Sequence, residues 1–222
     1  MINQHKIYRC GTIYGGVDIK LVERDYRLLR WVYRFRFCLA RHIQFLASFD
    51  GVRACDRRLK ILVDNGYLNR KKIIYGIPYL YYLSKNGMRL IHVKVKDENI
   101  RINQIHHDIT TLDCLKGLID KYNFQLDNMT TERELHINDG FGVRKHHPDL
   151  VFKKDDETYA IEVELNVKAK NRILKNIEDN YLNYDYQIWV VPLSQVKIKH
   201  ILTESLNKYD NIEVVTLESL LS

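Results

Sequence analysis

The chain has 222 residues, 45% of them hydrophobic, and a formal net charge of +7, which allows one large domain or two small ones with ordinary cores. No apolar run approaches the roughly 20 residues that span a bilayer, and the opening MINQHKIYRC lacks the apolar core of a signal peptide, so a cytoplasmic protein with no membrane partner is expected. Cysteines at 10, 38, 55 and 114 make no CxxC pair, which argues against a zinc ribbon or thioredoxin motif and suits a reducing compartment.

The charge is uneven. Residues 1–95 carry 19 Lys+Arg against 6 Asp+Glu, a balance of +13, whereas residues 96–222 carry 16 against 22, a balance of −6. A basic half joined to an acidic half predicts two modules, 1–95 and 104–222, with double-stranded DNA as the natural partner of the first. A solvated Lys/Arg surface, or a domain used only for protein contacts, is the plainer alternative.

In chain order, the apolar and aromatic positions 21, 22, 28, 29, 32 and 35 predict an amphipathic helix over Leu21–Phe37, and a short second helix follows at Leu39–Phe45. Ser48-Phe49-Asp50-Gly51 supplies a turn. The third helix, Val52–Asn65, offers Ala54, Leu59, Ile61, Leu62 and Val63 to the core and leaves Arg53, Arg57, Arg58 and Lys60 outside. Gly66 is placed to end it. A strand from Tyr67 to Ile74, a turn over Tyr75–Pro78 and a strand over Tyr79–Leu83 come next, with Ser84 as the N-cap of a further helix. Three helices and a hairpin form the order of a winged helix-turn-helix. In that fold the third helix enters the major groove and the wing touches adjacent backbone. Arg53, Arg57, Arg58, Lys60, Arg70, Lys71 and Lys72 are therefore the candidate DNA contacts.

Lys94–Asn103 is charged, aperiodic and reads as the boundary. Ile105–Tyr122 is helical, with Ile109, Leu112, Leu115, Leu118 and Ile119 on one face. His106, His107 and Asp108 point about 100° apart on such a helix, a poor chelate geometry, so packing or capping is expected of them. Phe124–Leu126 and Leu135–Ile137 read as strands and Gly140-Phe141-Gly142 as a flexible connection. Then come a hairpin over 148–165, a helix at Ala169–Leu182, a strand at Gln187–Val191 closed by Pro192, a helix at Gln195–Lys208 and a strand at Ile212–Val215. This order predicts a mixed sheet covered by helices, an α/β unit.

The hairpin carries the chemistry. Glu162 and Glu164 alternate on one strand face and Asp149 sits on the partner strand. If Asp149 crosses near Glu162, two carboxylates converge into a hard-oxygen site for Mg²⁺ or Mn²⁺. An ion there activates water beside a phosphodiester, and Lys168, Lys170 and Arg172 are near enough in sequence to hold the phosphate. Glu132 or Glu134 offers an outer carboxylate. The plainer reading is a strand face of ordinary charged side chains.

Pro148-Asp149, twelve further residues, then Glu162-Val163-Glu164 resembles the PD-(D/E)XK nuclease core. The resemblance implies Asp149 and Glu162 as metal ligands, and catalytic help from Glu164, which stands where lysine is usual, or from Lys168. The wider arrangement, RRLKILVDNGYLNRKK through YLYYLSKNG, then HPDLVF, YAIEVELNVKAKNRI and IWVVP, is similar to the replication-relaxation proteins of plasmids and integrative conjugative elements of Gram-positive bacteria, over most of residues 20–192. That resemblance implies a mobile-element protein acting on DNA near replication or transfer, with a relaxase or replication initiator as partner. Three readings follow: a DNA-binding accessory protein with a nuclease-like domain, a metal-dependent endonuclease, and a transcriptional regulator that forms a homodimer through its C-terminal unit.

Overall fold

The computed structural model describes residues 19–98, 100–140, 146–166 and 169–221. Cys10, Phe141, Gly142 and Lys168, all used in the sequence reading, lie outside the described residues.

Three helices, α1 (Glu23–Arg34), α2 (Ala40–Leu46) and α3 (Val52–Asp64), lead into an antiparallel pair, β1 (Leu68–Lys71) and β2 (Leu80–Leu83). The winged-helix order holds, with strands shorter than expected. α3 ends in a Schellman motif: Tyr67 N–H donates to the Leu62 carbonyl and Gly66 N–H to that of Val63, each at 2.9 Å. Gly66 supplies the positive φ (+71°) that this motif demands. Ser84 Oγ accepts from Gly87 N–H at 3.0 Å and caps α4 (Lys85–Leu90).

Arg58 does not face outward. Asp25 is fully buried and accepts from Val22 N–H at 2.7 Å at the start of α1. Arg58 Nε donates to its Oδ1 at 2.7 Å, and the guanidinium also bonds Oδ2 and the Lys20 carbonyl. A buried carboxylate needs a counter-charge, and Arg58 supplies it and ties α3 to α1, so its guanidinium is engaged by Asp25 instead of standing free on the outer face.

The second unit begins with α5 (Ile105–Tyr122) and runs β3 (Met129–Thr131), α6 (Glu132–Asp139), β4 (Leu150–Lys154), β5 (Glu157–Val163), α7 (Lys170–Asn183), β6 (Tyr186–Val191), α8 (Val196–Ser205), β7 (Ile212–Thr216) and α9 (Leu217–Leu221). The strands lie in chain order in one five-stranded mixed sheet. β4 runs antiparallel to β3 and β5, while β5, β6 and β7 are parallel, with α7 and α8 as crossovers. The chain is therefore mixed α/β.

Two expected strands are absent from their places. Phe124 follows Asn123, whose positive φ (54°) turns the chain out of α5, and its ring stacks on Phe152 at 4.5 Å instead of pairing in the sheet. Leu135–Ile137 lies inside α6. Thr131 and Glu134 form a capping box there: Glu134 accepts from Thr131 N–H at 2.8 Å, and Thr131 Oγ1 accepts from Glu134 N–H at 3.4 Å.

The two units share one apolar core. Leu28, Leu29 and Val32 of α1 and Leu59 and Leu62 of α3 belong to the same buried cluster as Leu112, Leu115 and Leu118 of α5 and Ile161 and Val190 of the sheet. Polar locks flank it. Arg34 pairs with Glu134, and Arg36 with Glu132. Arg41 is bidentate to Asp113, both contacts at 2.8 Å. His42 Nδ1 accepts from Leu39 N–H and its Nε2 bonds Asp113. From the connecting segment, Glu98 takes both ends of the Arg133 guanidinium at 2.7 and 3.1 Å, with side chains only 4% and 5% exposed. Arg133→Met should therefore leave a buried, uncompensated carboxylate and cost about 3–5 kcal/mol, read as a lowered urea midpoint; an unchanged midpoint would show that Glu98 finds solvent.

Candidate carboxylate site and DNA-facing surface

The β4–β5 hairpin turns on two residues, Asp155 and Asp156, with φ of 50° and 65°. Two positive φ values make the turn type that matches strand twist, and aspartate tolerates them. The turn sets the register: Lys154 faces Glu157 and Leu150 faces Ile161. Asp149 directly precedes Leu150 and Glu162 directly follows Ile161, so both carboxylates stand at the end of the ladder away from the turn. A two-residue turn six positions from each of them thus brings Asp149 and Glu162 to the same end of the hairpin, near enough for the Asp149 charge to act on the Glu162 carboxyl.

The surroundings differ from an open acidic face. Strand β5 is central and covered on both sides, so Glu162 and Glu164 are buried at 5% and 3% exposure. Glu162 lies across from Trp189 in the parallel register, on the side of the sheet covered by α7. Glu162 Oε1 lies 2.5 Å from His146 Nε2 and accepts from Asn180 Nδ2 at 2.9 Å. Asp149 Oδ2 accepts from Val163 N–H at 2.7 Å, which ties the end of β4 to β5. On the α5 side, His107 Nε2 reaches the Val163 carbonyl at 3.0 Å and Asp149 Oδ2 at 3.3 Å, while Nδ1 faces Asp108 at 3.4 Å.

His107 thus meets only acceptors at both ring nitrogens, so the imidazolium is the form that fits. Burial opposes its charge, but the bonds to Asp108 and Asp149 prevail and push it up to about 11. His146 is likewise raised: burial works against the charge, and the bond to Glu162 outweighs it. Burial pushes the Glu162 carboxyl up, the His146 bond opposes this, and the Asp149 charge adds to the rise. Two carboxylates and two histidines form one compensated group.

Comparison with protein-family models, with curated proteins and with solved structures found no match.

A divalent ion, implied by the PD-(D/E)XK resemblance, needs bare carboxylate oxygens. Here N–H groups of Val163, His107 and Asn180, with His146 Nε2, crowd one oxygen of each carboxylate. Among the described residues no group of three His, Cys, Asp or Glu side chains is arranged to hold a metal. One oxygen of each carboxylate is thus already engaged by a histidine. A cavity of about 40 Å³ opens beside Asp149, lined by Arg34, Arg36, His107 and Glu132 among others, with room for a few water molecules.

Of the other expected participants, Lys170 turns away to Glu204 of α8 at 3.1 Å. Glu132 and Glu134 pair with Arg36 and Arg34 across the seam. His146 and Asn180 escaped the sequence reading, because neither lies at a spacing that marks it as a partner of Glu162. His107, expected to pack or to cap its helix, instead meets Asp149 and Asp108.

The expected DNA contacts other than Arg58 are exposed. Arg53, Arg57 and Lys60 lie on the outer face of α3, and Arg70, Lys71 and Lys72 on and just beyond β1. Asp56 and Asp64 share the α3 face, and Lys60 bonds Asp64 at 3.1 Å. Arg57 Nε donates to the Arg53 carbonyl at 3.3 Å, which lays it along the helix.

The His107 pair has a pH signature. The free ring titrates at 6.5 and the folded one near 11, so the folded state holds the extra proton across that window. Stability from the pair is complete below the lower value and lost as pH rises through the upper one. His107→Gln should remove this slope, so urea midpoints of wild type and variant, measured at about pH 6, 8 and 10, should converge as pH rises. Parallel midpoints would show that the ring carries no excess proton.

Proposed function

We propose that this protein is a double-stranded DNA-binding accessory protein of a mobile genetic element, acting near replication or transfer, and that its nuclease-like α/β unit works as an ion-paired scaffold. The DNA-binding part is carried by one observation: cationic side chains are exposed on α3 and β1, the two elements that a winged helix presents to a groove and its flanking phosphates. Asp56 on the same helix face suits base reading, since carboxylates accept from cytosine. The scaffold part is supported by the histidines set against Asp149 and Glu162. The mobile-element setting, and a relaxase or replication initiator as partner, rest on the sequence resemblance, and co-purification with a relaxase separates this reading from a plain transcriptional regulator.

Arg53→Ala with Arg57→Ala should weaken duplex binding about tenfold and lower the salt slope by about 0.9 for each phosphate contact removed. Fluorescence anisotropy over a salt series measures both, and unaltered binding would remove α3 from the interface. Neither side chain supports the core, so folding should be unaffected.

A second reading is favoured by the charge of Asp149 acting on the Glu162 carboxyl: a Mg²⁺- or Mn²⁺-dependent endonuclease in which Asp149 and Glu162 would hold the ion and Glu164 or Lys168 would assist. Incubation of supercoiled, linear and single-stranded DNA with either ion tests it. Cleavage that Glu162→Ala abolishes while binding persists would establish this reading over the scaffold.

A further inference from the structure

The connection between β1 and β2 spans eight residues, Lys72–Tyr79, long for a wing with four-residue strands. It is anchored. Ile73, Ile74 and Ile77 turn inward onto a cluster of Phe37, Leu39, Leu80, Ile105 and Ile109, and Ile77 N–H donates to the Ile74 carbonyl at 3.3 Å. Gly76, with φ of +81°, reverses the chain at the tip. Tyr75 beside it is left 97% exposed. Next to it on the same wing, the Arg70 guanidinium lies over the half-exposed Tyr79 ring at 5.0 Å, and Lys71 and Lys72 are exposed at the wing's root.

A wing that touched only phosphate would be served by a cation or a hydroxyl on a small side chain at its tip. A phenol ring held out on an anchored turn has a different chemistry. It offers a flat apolar face, and every nucleobase has a face to set against it. Cations that follow the backbone combined with exposed aromatic rings are the arrangement that holds unpaired nucleotides. In an intact duplex the bases are already stacked, and opening a step costs a few kcal/mol; at an unpaired base that cost falls away.

We infer that the wing tip is a stacking site for an unpaired base, with Tyr75 as the platform and Arg70, Lys71 and Lys72 on the adjoining phosphates, so that the DNA this protein favours is a duplex with a melted segment next to the part held by α3. The inference rests on the DNA-binding reading above and adds the class of DNA.

The test compares a fluorescein-labelled 40-base-pair duplex with the same duplex carrying a six-nucleotide unpaired bubble, by anisotropy. Wild type should bind the bubble about tenfold more tightly. Tyr75→Ala should bind both alike, at the wild-type affinity for the intact duplex, and Tyr75→Phe should keep the preference. Lys71→Ala with Lys72→Ala should weaken both substrates and flatten the salt dependence. Equal wild-type affinity for the two substrates, or a preference that survives Tyr75→Ala, overturns the inference and leaves the DNA-binding reading standing. Binding to neither substrate overturns both.

Discussion

Helix α5 is the member on which the rest of the structure depends. Its 18 residues make a rod of about 27 Å, and each of its sides is engaged by a different part of the chain. Leu112, Leu115 and Leu118 join the cluster that holds α1, α3 and the sheet, while Ile105 and Ile109 close a second cluster under the wing. Asp113 holds Arg41 and His42, and His107 meets Asp149. Gly117 lets α9 lie against the helix, since a Cβ there would run into the Leu220 backbone. Lys121 and Tyr122 both bond Glu213 on β7 at the far end of the sheet. One helix therefore fixes the winged helix, the carboxylate site and the closing strand.

Charge has a second use beside any nucleic acid. The excess of cations in the first 95 residues is partly consumed at the seam, where Arg34, Arg36 and Arg41 meet Glu134, Glu132 and Asp113, and within the unit, where Arg58 meets Asp25. The opposite balances of the two halves thus help to hold them together. What remains outside is spread over α1 (Arg24, Arg27, Arg30), α3, the wing and α4 (Lys85, Arg89), a smaller set than the composition implies. Among the described residues no helix is long and apolar enough to cross a membrane.

Long periodic elements were legible in the sequence. The α5 stripe gave both helix ends, alternation gave the hairpin, and the apolar run QIWVV closed by Pro192 gave β6. Failures came where a short signal competed with a local one. Leu135 and Ile137 alternate like a strand, yet Thr131 and Glu134 at capping-box spacing start a helix, and that signature was present in TTERE. α9 is five residues long and depends on Gly117, 100 positions before its start, so no window around it reveals it. The two carboxylates were legible because a strand face is periodic. Their burial was not, because alternation describes one strand and burial depends on what lies across both faces. The pairing of the histidines is hidden for the same reason: His107 lies 42 residues from Asp149, and only the folded sheet brings them together.

The bidentate Glu98–Arg133 lock sits in the segment that would otherwise serve as a hinge. Held there, and by the seam around it, the α/β unit keeps one bearing relative to α3. If α3 lies in a groove of asymmetric sequence, that bearing becomes a direction along the duplex: the α/β unit stands upstream or downstream of the site and never both. One copy on such a site would then carry a sense of strand polarity, which a two-fold symmetric dimer on a palindrome lacks.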